Sequence, residues 1–200
     1  TPDGGKANYR FENDTRLGLI IYRMTNNASH AHTTALTAAQ LNARDTLSTG
    51  TYFLTGNVTL TRPITISGNV VLCLNGYTIT MAAETANVAP GSWTTKAATN
   101  MFTVGDGSVF SLYDCKGSTA ADGTYTGTGA LNGNSGFYHA VRVTAGGIFN
   151  LYGGKITKFG IVAIEVSGSS AIFNMFGGAL TESTISFGTG RSYIASVSEY

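Results

Sequence analysis

The 200-residue chain carries a formal net charge of +1 with 12% charged side chains. That is neither the basic footprint of a nucleic-acid binder nor an acidic tail. No run of about 18 apolar residues is present, so a helical membrane span is not expected. Ten Tyr and ten Phe separate it from disordered chains, which are poor in aromatics. Twenty-six glycines among many Thr and Ser suit short strands joined by tight turns.

In chain order, the first apolar stretch is Leu17-Gly18-Leu19-Ile20-Ile21-Tyr22. It is too short for a typical signal-peptide core. It reads as a strand in an N-terminal extension, 1–33, that lies outside any repeat. Leu17, Leu19, Ile20, Ile21 and Tyr22 are candidates for adding to a neighbouring subunit's sheet edge. The chain starts at Thr1 without Met and reads as a processed or excised piece. His30 and His32 form a His-x-His pair, but two ligands alone do not make a metal site. These two and His139 read as loop residues. Residues 34–49 read as a capping helix: Thr37 and Gln40 have capping-box spacing, and Leu36, Leu41 and Leu47 could share one face.

Residues 50–200 carry a repeat. One phrase recurs as Val70-Val71-Leu72-Cys73-Leu74-Asn75-Gly76, Val109-Phe110-Ser111-Leu112-Tyr113-Asp114-Cys115, Ile148-Phe149-Asn150-Leu151-Tyr152-Gly153-Gly154 and Ile172-Phe173-Asn174-Met175-Phe176-Gly177-Gly178. The starts are 39, 39 and 24 residues apart. The shortest spacing suits one turn of a stacked β architecture. The longer ones hold inserted loops at 82–100 and 117–136, or a second degenerate turn. A shorter phrase precedes each copy: Ile64-Thr65-Ile66, Phe102-Thr103-Val104, Val141-Arg142-Val143 and Ile164-Glu165-Val166. A third strand follows some copies, at Thr78-Ile79-Thr80, Lys155-Ile156-Thr157 and Ala179-Leu180-Thr181. Alternation points the flanking residues inward and the middle one outward. The fold expected is all-β: a right-handed parallel β-helix (β-solenoid) of about four to five coils under a short N-terminal capping helix.

Stacking the copies predicts internal ladders of Val71, Phe110, Phe149 and Phe173, and of Cys73, Leu112, Leu151 and Met175. Asn150 and Asn174 should stack as an amide ladder. Tyr113, Tyr152 and Phe176 should align as core or corner packing, or as an aromatic strip for sugar rings. Arg142 and Glu165 should be cross-strand neighbours. Cys73 and Cys115 could form a disulfide if a corner at Asp114 brings them together; otherwise Cys73 is a buried small apolar residue. No CxxC or Cys/His cluster is visible in the sequence, so no metal is expected.

The stretch 50–60 with Leu72-Cys73-Leu74-Asn75-Gly76-Tyr77-Thr78-Ile79, Leu112-Tyr113-Asp114-Cys115 and the Phe-Asn-Leu-Tyr-Gly-Gly-Lys-Ile-Thr phrase at 149–157 resembles repetitive right-handed β-helix cell-surface proteins of anaerobic Firmicutes, in the pectate-lyase-like superfamily. The resemblance covers about 50–182. It implies a secreted or cell-surface protein, and a fold shared by adhesins and by glycan-acting enzymes.

Asp106 and Asp114 lie in or beside turns, where Asp is common for backbone reasons, and no catalytic residue is assigned. The function expected is a non-catalytic extracellular structural or adhesive module whose partner is itself, assembling into a filament or layer, with no cofactor. The alternative is a glycan-binding or polysaccharide-cleaving protein with an outer-sheet groove. Trp93, Tyr125 and Tyr138 would contact sugar there, with Tyr113, Tyr152, Arg142 and Glu165 as further ligand-binding candidates.

Overall fold

The computed structural model describes residues 6–10, 20–24, 30–82, 99–120, 123–133, 138–159, 163–181 and 185–187. Strands β1 (Lys6–Arg10) and β2 (Ile20–Met24) form an antiparallel hairpin in which Asn8 opposes Tyr22. β3 (Thr34–Leu36) leads through helix α1 (Ala38–Asn42) into the long strand β4 (Thr46–Leu54), and β3 and β4 pair in parallel. After β5 (Val58–Leu60), β6 (Ile64–Cys73) runs parallel along β4.

From there the chain revisits the same positions. β7 (Thr78–Met81) lies beside β5, while β8 (Thr99–Val104) and β9 (Val109–Tyr113) lie beside the two halves of β6. A small antiparallel hairpin, β10 (Ser118–Thr119) with β11 (Tyr125–Thr126), precedes β12 (Ala130–Asn132), which pairs with β7. β13 (Tyr138–Val143) and β14 (Ile148–Leu151) join β8 and β9, and β15 (Lys155–Thr157) joins β12. β16 (Ile164–Val166), β17 (Ile172–Met175), β18 (Ala179–Thr181) and β19 (Ile185–Phe187) add a further row to each ladder. Among the described residues the fold is therefore all-β apart from one short helix, and its two larger sheets are parallel. Each long interval between repeat copies holds one pass of the chain, because β6 pairs directly with β9, and β9 with β14.

Alternation builds the core. Ile64 and Ile66 are buried while Thr65 between them is exposed; likewise Val141 and Val143, and Ile164 and Val166, are buried on either side of the half-buried Arg142 and Glu165. Phe110, Phe149 and Phe173 form an internal ring column with centroids 5.4 and 5.3 Å apart. Those spacings follow the strand-to-strand repeat of a sheet. Beside it, Leu72, Leu112 and Leu151 are fully buried.

Two expectations are corrected. The helix spans only Ala38–Asn42, although the capping box of Thr37 and Gln40 is present. Residues 34–36 and 46–54 are strands. Leu36, Leu41 and Leu47 are all buried, but from three different elements. The first repeat copy is also shifted by one residue. Val70 pairs with Phe110 and Leu72 with Leu112, so Cys73 falls opposite Tyr113. A one-residue slip exchanges the two faces of a strand. Val71 and Cys73 therefore leave the internal ladders, and Val70 and Leu72 enter them.

Candidate functional site

The corrected register puts Cys73 in an outer column whose other members are aromatic. Phe53 of β4 and Tyr113 of β9 are its pairing partners on either side. Tyr152 stacks on Tyr113 at 4.5 Å and 5°, and Phe176 on Tyr152 at 4.7 Å and 20°. Cys73 is too small to continue the stack. The two imidazoles preceding β3 fill the interval instead. His32 lies flat on Phe53 at 4.7 Å and 7°, His30 leans on Tyr113 at 4.3 Å, and the two imidazoles are 5.2 Å apart. Rings therefore run from Phe53 through His32, His30, Tyr113 and Tyr152 to Phe176.

Cys115 reaches the same place from the turn after β9. That turn lies against the one after β6: the Leu74 N–H donates to the Tyr113 carbonyl at 2.8 Å, and the Cys115 thiol to Asn75 Oδ1 at 3.4 Å. Asn75 adopts a left-handed conformation (φ 52°), which Asn tolerates better than most residues. The ligand atoms of His30, His32, Cys73 and Cys115 all lie within 4.8 Å of one another. Both cysteines are free, Cys73 buried and Cys115 exposed. Burial pushes the Cys73 thiol up to about 12, with Cys115 beside it. The sequence pointed to a disulfide or an inert core thiol, and to no metal site. The structure instead gathers two thiols and two imidazoles, a donor set that suits a tetrahedral metal ion. Positions 30, 32, 73 and 115 show no motif spacing, and the shifted first copy hid the outward position of Cys73.

A second polar group lies on the face built by β8, β13 and β16. Thr65, Thr103, Arg142 and Glu165 form the expected outward row. Arg142 Nε stands 3.0 Å from Glu165 Oε2 without hydrogen-bond alignment. His139, expected in a loop, belongs to β13 and is buried. Its Nδ1 contacts Asn100 Oδ1 at 2.9 Å and lies 3.7 Å from Glu165. Burial lowers the affinity of this imidazole for a proton, Glu165 opposes that shift, and Arg142 adds to it. The group is one carboxylate, one guanidinium and one neutral-leaning imidazole. Glycosidase chemistry ordinarily uses two carboxylates.

Tyr125 is not a surface aromatic. It is 8% exposed, and its hydroxyl donates to Asp114 Oδ2 at 2.6 Å. Asp114 also accepts from the backbone N–H groups of Gly76, Lys116 and Gly129 at 2.7, 3.2 and 3.0 Å. This buried carboxylate fastens the β10–β11 hairpin to the ends of β6 and β9. Asn174 donates to Asn150 at 2.8 Å, as the amide ladder required. Tyr113 and Tyr152 stay half-buried in their stack. Trp93, Leu17 and Leu19 lie outside the described residues. Ile20, Ile21 and Tyr22 fall in β2 and Tyr138 in β13, with their side chains outside the description. Among the described residues, no helix is long and apolar enough to cross a membrane.

Comparison of the chain with protein-family models, with curated proteins and with solved structures finds no match.

Proposed function

We propose that the chain is a right-handed parallel β-helix serving as a non-catalytic structural or adhesive module outside the cell, and that it associates with copies of itself. The reading rests on the parallel ladders, in which pass after pass supplies the same strands and the same columns. Such an arrangement can be extended by another chain. Among the described residues, β17, β18 and β19 each have a partner on one side only. An open edge of this kind is a template for a further strand. The β1–β2 hairpin pairs only within itself among the described residues. Two strands alone are marginal in water, and addition to a sheet edge would stabilise them.

The candidate sugar-binding groups are largely committed elsewhere. Tyr125 serves Asp114, and Arg142 is paired with Glu165. In the outer column Tyr113 lies between His30 and Tyr152, and Tyr152 between Tyr113 and Phe176, so neighbouring rings cover both tyrosines. Stacking on a sugar needs a free face.

Size-exclusion chromatography with light scattering tests the proposal, using the full chain and its Ile21→Pro variant. Proline removes a backbone donor and disrupts the hairpin. The expected result is concentration-dependent association of the unmodified chain, lost in the variant. An unmodified chain that stays monomeric, or a variant that associates equally well, would overturn it.

A further inference from the structure

We propose that His30, His32, Cys73 and Cys115 form a structural Zn2+ site that staples the segment before β3 to the ends of β6 and β9.

The first support is convergence. The chain has two cysteines and three histidines. Both cysteines and two of the histidines meet at one point, from three separate stretches of sequence. Nothing in the β-ladder requires that. Elsewhere the outer column is filled by stacked aromatics; here a small thiol residue opens an interval and two imidazoles occupy it.

The second support is geometry. Zinc bonds sulfur at about 2.3 Å and imidazole nitrogen at about 2.0–2.1 Å in a tetrahedron, so its ligand atoms stand roughly 3.3–3.8 Å apart. Donor atoms already within 4.8 Å of one another need to close by about 1.5 Å at most. The rings of His30 and His32 already lie beside each other, 5.2 Å apart, in the segment before β3. Phe53 and Tyr113 hold those rings from outside, as supporting residues orient metal ligands.

The third support is charge. Binding releases one proton from each thiol to solvent, and two thiolates cancel the two positive charges of the ion. The buried Cys73 then faces no net charge. Four protein ligands leave no open position, which marks a structural rather than a hydrolytic zinc. His32 and Cys115 are exposed, so the ion has a way in. Mixed sulfur and nitrogen donors in a tetrahedron favour Zn2+ over the hard cations. The bound ion would link the segment before β3 to the ends of β6 and β9, securing the short strand β3 at the start of the ladder.

The site does not depend on whether the chain self-associates, and its test is separate. The full chain is reduced, stripped of metal and titrated with Zn2+ against a chromophoric chelator, and with Co2+ for tetrahedral thiolate absorption. One equivalent of either ion per chain is expected, with a higher melting temperature in zinc. Cys115→Ser and His32→Gln alter exposed positions, so the fold should survive. Each should weaken zinc binding by about a hundredfold or more and abolish the thermal shift. His139→Gln, on another face, should bind as the unmodified chain does. The proposal is overturned if the reduced chain takes up no stoichiometric zinc, or if Cys115→Ser and His32→Gln both bind it unchanged. It is equally overturned if Cys73 and Cys115 prove to be joined to each other and the reduced pair gives no Co2+ thiolate band.

Discussion

At the scale of single residues, Asp114 shows how a turn residue becomes a structural centre. Its sequence context offers only the ordinary preference of Asp for turns. In the fold it is 2% exposed and accepts four hydrogen bonds, three from backbone and one from Tyr125. A buried carboxylate is tolerable when its oxygens are satisfied in this way. Tyr125→Phe deletes one bond to a charged acceptor, worth about 1.5–3 kcal/mol. Urea denaturation should show a loss of that size, with the circular dichroism spectrum of the folded state unchanged. A midpoint equal to that of the unmodified chain would mean that the bond contributes nothing net.

At the scale of elements, the ladder explains what single segments could not. Helix α1 has five residues, too few to be stable alone. It is held by its capping box and by Asn42, whose side chain donates to the Thr59 carbonyl at 2.8 Å and accepts from the Thr61 N–H at 2.9 Å. The hydrophobic spacing over 34–47 resembles a longer helix, but pairing of β3 with β4 and of β4 with β6 outweighs that weak local preference. Turns between strands are tight enough to exclude side chains. A Cβ on Gly147 would lie 2.4 Å from the Val104 carbonyl oxygen of the preceding pass. That oxygen accepts the Thr144 N–H at 2.8 Å. Gly147→Ala must therefore push two passes apart, at a cost of about 1–3 kcal/mol. The expected outcome is a lower melting temperature in differential scanning calorimetry; an unchanged one would show that the turn yields freely.

At the scale of the whole molecule, each strand contacts mainly the strands paired beside it. Phe149 sits at the centre of its ring column and is fully buried. Phe149→Ala should cost about 3–5 kcal/mol. Hydrogen exchange would show where. Amides of β13 to β18 should lose most protection, while those of β4 to β7 keep more. Equal loss in every strand would instead mean that the molecule opens as a single unit.

Much of this architecture is legible from the amino-acid order because it is written in local alternation. The apolar-x-apolar phrases fall on β6, β8, β13 and β16, three of the four main copies align in true register, and Asn150 meets Asn174 as expected. Local pattern cannot choose between two registers that differ by one residue when both Val70 and Val71 are apolar. Only pairing with Phe110 on one side and Gly50 on the other decides it. That choice turns Cys73 outward, and the stacking of turns brings in Cys115 and the two histidines. The strands of the repeat phrases were thus determined by the sequence itself, whereas β3 and β4 emerged only from their pairing. The meeting of His30, His32, Cys73 and Cys115 was decided by tertiary structure, because contact between residues some forty positions apart depends on register and not on spacing.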